Sequence, residues 1–170
     1  MTSPAPLAAS DFGPAPDAVE LVHLFDMHYG LSLPTDVGTV AHGRRVYFST
    51  TGGRFEGPRL SGEILPGGSD WTLTGADGTS RIDVHLLMKT DAGALIHAEW
   101  TGKMRAAPGT FAAITDPDKR AGIDDSRVYF RTAPTFETAA KDLAWLTHMQ
   151  CVASARFTRA GLSYRVMGIR

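Results

Sequence analysis

The residues best suited to moving a proton concentrate in one stretch, Ser80 to Met104, which holds Asp83, His85, His97 and Glu99. An imidazole with an unperturbed pKa of roughly 6.5 can give and take protons near neutrality. A carboxylate beside it orients the ring and stabilises its charged form. A hairpin would bring these groups together. Asp91-Ala92-Gly93 reads as a three-residue loop with Gly93 in the left-handed position. That loop sets Thr90 opposite Ala94. Counting outward, it pairs Met88 with Ile96, Leu87 with His97, Leu86 with Ala98, His85 with Glu99, and Asp83 with Thr101. Opposed Cβ atoms stand about 4.5–5.5 Å apart. His85 is then the candidate general acid or base, Glu99 its orienter and Asp83 the alternative acid. Tyr129 and Arg131, on one face of a later strand, read as a cross-strand surface pair or else as candidate stabilisers of an enolate or carboxylate oxygen.

Candidate binding residues surround this set. Asp70 reads as a rim acid and Trp71 as a stacking wall, or else as a turn-capping Asp and a core Trp. His97 and Trp100 sit on the hairpin, and Phe136 and Trp145 either close one mouth of the domain or pack in its core. Glu56 and Arg59 flank Gly57-Pro58 and read as a structural ion pair at a bend. His85 and His97 could converge with Glu99 on a metal, but the six histidines include no HxH or HExxH spacing, so no metal site is expected. No GxxxxGK[ST] or GxGxxG occurs, which leaves Gly52, Gly53, Gly57, Gly67 and Gly68 as turn and bulge glycines. Nothing signals a nucleotide, flavin or haem, so no cofactor is expected. Cys151, the single cysteine, lies in an apolar run and reads as a buried structural thiol.

The elements that must position these residues are short strands. Gly and Pro turn signals recur at close spacing from Gly38 to Gly161, and the runs between them are rich in Val, Ile, Tyr, Phe, Trp and Thr. Strands are predicted at about 19–29, 44–51, 58–65, 70–75, 79–90, 94–104, 126–132, 146–157 and 162–169. A helical turn within Phe136–Leu146 and a short helix at Gly109–Ile114 are also predicted. Such a pattern belongs to an all-β domain, either a sandwich or a single closed antiparallel barrel. In the hairpin, one face carries Ile82, Val84, Leu86, Met88, Ile96, Ala98 and Trp100, and the other is mostly polar. Two orientations remain open. Antiparallel sheets usually keep the polar face wet, which puts Trp100 and Met88 in the pocket and leaves the acid–base groups to Asp70, Tyr129 or Arg131. The reverse puts the His85–Glu99 dyad in the lumen.

At 170 residues the chain fits one domain, with residues 2–16, rich in Pro and Ala, expected to be a disordered extension whose deletion leaves stability nearly unchanged. The barrel domain is expected over 17–170. A net charge of −1 without a basic run argues against nucleic acid. No apolar run approaches the roughly 20 residues that span a bilayer, and the first sixteen residues do not look like a signal peptide. A cytoplasmic protein is therefore expected. The surplus of apolar strand face suggests a homo-oligomer, in the first instance a dimer.

Three runs carry a resemblance. GRRVYFSTTGGRFEGPRLSGEILPGGSDW (Gly43 to Trp71), RIDVHLLMKTDAGALI (Arg81 to Ile96) and VYFRTAPTFET (Val128 to Thr138), followed by Ala144-Trp145-Leu146, resemble the domain of unknown function 3237 family from about Gly38 onward. The resemblance implies a closed β-barrel similar to allene oxide cyclase and lipocalin-type barrels, often oligomeric, without a settled reaction. In that pattern Arg often stands where this chain has His85, and Asn where it has Thr147. With a pocket, acid–base groups and no cofactor, the expected function is a cofactor-independent enzyme of the lyase, hydro-lyase, isomerase or cyclase kind. Its substrate would be a small oxygenated, partly apolar or aromatic metabolite. The alternative is a non-catalytic small-molecule carrier.

Overall fold

The computed structural model describes residues 18–107 and 110–170. The expected N-terminal extension lies outside the described residues. Ten strands follow in chain order: β1 Leu21–Leu31, β2 Thr35–Val40, β3 Gly43–Glu56, β4 Ser61–Ile64, β5 Ser69–Thr74, β6 Thr79–Thr90, β7 Leu95–Ala106, β8 Val128–Glu137, β9 Cys151–Phe157 and β10 Gly161–Ile169. All pairings are antiparallel. The long β3 carries β1 and then β2 along one edge, and β4 and then β5 along the other. Counted as wall positions, β1/β2, β3, β4/β5 and β6 to β10 make eight, and β10 returns to β1 to close the barrel. Closure leaves no long edge for another chain to pair with.

Strict alternation builds the interior. Along β6, every second residue from Ser80 to Thr90 is buried while its neighbours are not. The β6–β7 hairpin has the register expected from its loop. Met88 faces Ile96, Leu86 faces Ala98, His85 faces Glu99 and Asp83 faces Thr101. The loop closes with Thr90 N–H donating to the Ala94 carbonyl at 2.9 Å and Gly93 at φ 91°. The apolar face of the hairpin points inward. Phe25 packs against Phe55 and Phe136 at ring-centroid distances of 5.6 and 5.7 Å. Met88, Ile96 and Val166 are fully buried around them. Because Ile82, Val84 and Leu86 are satisfied inside one barrel, the reason for expecting a second subunit falls away at those residues.

The strand boundaries differ from expectation where glycine and proline were read as terminators. β3 runs through Gly52-Gly53 instead of ending at 51. Gly52 takes φ 98° and bends the strand without stopping it. A Cβ on Gly53 would meet the His28 carbonyl, so β1 and β3 can approach there only because the side chain is missing. β8 continues through Pro134 because pairing with β9 is confined to Arg131 and Thr132, and beyond them a missing N–H breaks no ladder on that side. β2 was missed altogether; Gly38, at φ 96°, accommodates a register shift inside it. The chain ahead of β9 is helical at 141–147, a 3₁₀ turn followed by a short helix, so β9 starts at Cys151 and not at 146. A short helix does form at Thr110–Ile114.

Candidate functional site

The turn before β5 sets up the interior site. Gly67 takes φ 97°, and Gly68 passes so close to Thr50 and Leu86 that a Cβ would stand 2.8 Å from the Thr50 hydroxyl oxygen. The chain then enters β5 with Asp70 opposite Phe48 on β3 and Val84 on β6, both inward-facing. Asp70 is 4 % exposed. Val84 is in turn opposite Trp100 on β7. Asp70, Val84 and Trp100 thus form one row across three adjacent strands.

Two tyrosines complete the interior set. Tyr29, on β1, stacks on Tyr164, on β10, with ring centroids 5.8 Å apart and planes 11° from parallel. The Tyr29 hydroxyl donates to the Tyr164 hydroxyl over a long 3.5 Å. Trp100 meets Tyr164 edge-on at 5.4 Å. The Trp100 indole N–H makes no well-formed hydrogen bond, although it lies close enough to the Tyr164 hydroxyl to lower its pKa slightly, and elsewhere in the interior Thr50 Oγ1, Thr132 Oγ1 and two guanidinium nitrogens of Arg120 are buried without partners. Among the described residues no hydrogen bond lowers the Asp70 carboxyl, which burial and the Asp83 charge alone perturb. Native interiors leave few polar groups in this state, and those that exist often await a ligand or water.

Electrostatics sorts these groups by role. Burial, with a smaller contribution from the Asp83 charge, raises the Asp70 carboxyl to about 7. Burial first, and then the neighbouring Tyr164 and Asp70, push Tyr29 well above the usual phenol range. Burial and the Asp70 charge raise Tyr164 as well. Within this set, Asp70 exchanges its proton near neutral pH while the tyrosines keep theirs and serve as neutral donors.

The histidine dyad is on the other side of the wall. His85 and Glu99 are opposed as expected, with Nδ1 3.6 Å from Oε2, but their side chains are 48 % and 50 % exposed on the outer surface. Asp83 lies beside them, also outside, 3.3 Å from His85 Nε2. The lumenal dyad is therefore corrected. Even positions of β6 bury Ile82, Val84, Leu86 and Met88, and strand alternation places Asp83 and His85 outward. His97 is on the same outer face, with Nδ1 3.2 Å from Glu137 Oε2. Tyr129 and Arg131 also face out, the guanidinium 5.4 Å above the Tyr129 ring, so they cannot stabilise an oxyanion in the lumen.

Trp71 is half-buried on the outer side against Tyr47, at 4.7 Å, and does not line the interior. Asp70 is neither rim acid nor turn cap but an interior residue. Phe136 is buried in the core, and Trp145 lies under the Arg59 guanidinium at 3.7 Å. That stack replaces the expected Glu56–Arg59 pair, which is not formed among the described residues. Cys151 is fully buried, its thiol pushed up to about 11 by desolvation. Thr147, like His85, is outside the lumen. The sequence reading missed Tyr29, Tyr164, Thr50 and Thr132. The available signal was parity: Tyr29 alternates with Phe25 and Met27, and Tyr164 with Leu162 and Val166.

Comparison with known proteins agrees with this architecture. Residues 19–169 match the family described as protein of unknown function (DUF3237). The chain belongs to the DUF3237 family. The match starts well before Gly38, so β1, which carries Tyr29, is part of the DUF3237 domain. A UPF0311 protein of Clostridium acetobutylicum is 31% identical over 114 residues, 66% of this chain and 70% of that protein. A UPF0311 protein of Rhodopseudomonas palustris is 27% identical over 137 residues, 81% of this chain and 88% of that one. Among solved structures, a β-barrel-like protein of Acinetobacter baumannii superposes with a TM-score of 0.77 at 29% identity, covering 94% of this chain and 99% of its own. A structure described as an enzyme from Penicillium herquei superposes with a TM-score of 0.68 at 21% identity, covering 94% and 100%, and shares the fold. Among the described residues no helix is long and apolar enough to cross a membrane.

Proposed function

We propose that this DUF3237 barrel is a cofactor-independent enzyme of the lyase, isomerase or cyclase kind, with Asp70 as the group that moves the proton. The observation that carries this reading is the buried Asp70 carboxyl, whose proton affinity is set by burial and the Asp83 charge with no hydrogen bond lowering it, on one row with the Trp100 indole. A carboxyl that titrates near 7 can take a proton from a carbon or hydroxyl next to a carbonyl and return it elsewhere on the same molecule, with no net redox change. Tyr29, Tyr164 and Trp100 would donate to the oxygen on which charge develops, and their rings favour a flat, partly aromatic substrate. A barrel of this fold can host an enzyme, as the Penicillium herquei neighbour illustrates at the level of fold.

The test is a panel of small phenols and cyclic enones incubated with the protein in deuterated buffer. Wild-type protein should catalyse deuterium uptake, read by mass spectrometry, into at least one member. Asp70→Asn should slow it about 10²-fold or more. Undiminished exchange in that variant would refute the role of Asp70. A second reading, carriage of a small apolar metabolite, is favoured by the predominance of Phe, Met, Leu and Ile inside. It would be supported if panel members raise the melting temperature yet none exchanges.

A further inference from the structure

The outer face of the β6–β7 hairpin carries a cluster that the acid–base reading does not use. His85 and His97 stack with ring centroids 5.8 Å apart and planes 21° from parallel. Glu99 is directly opposite His85 on the neighbouring strand and two residues from His97 on its own. One ligand-type atom from each of His85, His97 and Glu99 lies within 4.8 Å of the others. Two further carboxylates hold the remaining ring nitrogens, Glu137 Oε2 on His97 Nδ1 at 3.2 Å and Asp83 Oδ1 on His85 Nε2 at 3.3 Å.

From this geometry we propose a divalent transition-metal site on the outer wall of the barrel, formed by His85, His97 and Glu99. Zinc-type sites take imidazole nitrogen at about 2.0–2.1 Å and carboxylate oxygen at about 2.0–2.2 Å. The three ligand-type atoms already lie within 4.8 Å of one another on exposed or half-exposed side chains that have room to rotate. The ligands come from two paired central strands, so the backbone is rigid and the ordering cost is small. The outer carboxylates act as the second layer typical of such sites. Glu137 fixes the His97 tautomer and leaves Nε2 for the metal, and Asp83 does the same for His85 and leaves Nδ1. Two imidazoles and one carboxylate select zinc, nickel, cobalt or copper over magnesium, which prefers six oxygens. Three protein ligands leave one tetrahedral position open to water. The barrel wall separates the site from the lumen and none of its three ligands is assigned a role in proton transfer there, though Asp83 of its outer layer is also the charge that adds to the raised Asp70 carboxyl.

The experiment is calorimetric titration of the full-length protein, freed of metal by chelator, with zinc chloride at pH 7.5 and with magnesium chloride as control. One zinc per chain should bind and magnesium should not. His97→Asn and Glu99→Gln should each weaken binding at least about tenfold. Both residues are at least partly exposed and outside the core, so the variants should keep the wild-type circular dichroism spectrum and melting temperature without metal. Absence of zinc binding would overturn the proposal. So would binding that both variants retain, since the metal would then be held by other histidines.

Discussion

Tyr29 and Tyr164 stack almost parallel inside the barrel, and their hydroxyls meet at 3.5 Å. That distance is at the weak end for an O–H···O bond, whose common length is about 2.7–2.8 Å. Under the proposed function the loosely held hydroxyl protons would turn to a ligand oxygen while the rings stay packed. Tyr164→Phe should therefore cost little stability, within about 1 kcal/mol, while weakening any oxygenated ligand. Urea denaturation and ligand thermal shift measure the two effects separately. A large stability loss with unchanged ligand binding would show that the hydroxyl pair is structural.

Asp70 should make the protein less stable as pH rises. Its carboxyl is held at about 7 in the fold against 3.8 for the free group. The folded state thus retains a proton that the unfolded state has lost. The associated stability is fully present below about pH 4 and disappears as pH climbs through about 7. The slope approaches about 1.4 kcal/mol per pH unit. Asp70→Asn removes it, so the difference between wild type and variant in urea unfolding, measured from pH 4.5 to 8, should grow with pH in favour of the variant. A constant difference would contradict the buried, unpaired state of this carboxyl.

His85→Gln should leave lumenal turnover unchanged and shift stability by less than about 0.5 kcal/mol, because the side chain faces solvent. Kinetic assay with a substrate found by deuterium exchange decides this. A drop of two orders of magnitude would return the chemistry to the outer face.

Gly53→Ala should destabilise the barrel by about 1–3 kcal/mol. The added methyl would press on the His28 carbonyl and the Tyr29 Cα, the latter at 2.7 Å, and both are backbone atoms that cannot rotate away. Chemical denaturation reads the loss directly. An unchanged midpoint would mean that β1 and β3 can separate without cost.

The fold was legible because strands write their environment in a period of two. The hairpin loop at Asp91-Ala92-Gly93 set the β6–β7 register, and that register segregated Ile82, Val84 and Leu86 from Asp83 and His85. Glycine and proline were less legible. Whether Gly52 ends a strand or bends one depends on whether β1 lies alongside, and whether Pro134 is tolerated depends on β9 stopping short of it.

Sequence alone determined the all-β class, the hairpin pairing and the opposition of His85 to Glu99, since all three follow from local alternation and turn chemistry; a barrel in place of a sandwich was legible only through the runs that resemble the DUF3237 family. Which face of the wall is the inside was decided by closure of the sheet, a property of all ten strands together. Closure buries the apolar surface that costs most in water and leaves the histidine face wet. It also brings Tyr29 from the first strand against Tyr164 from the last, 135 residues apart. No spacing rule could bring those two together, because their contact exists only once β10 pairs with β1.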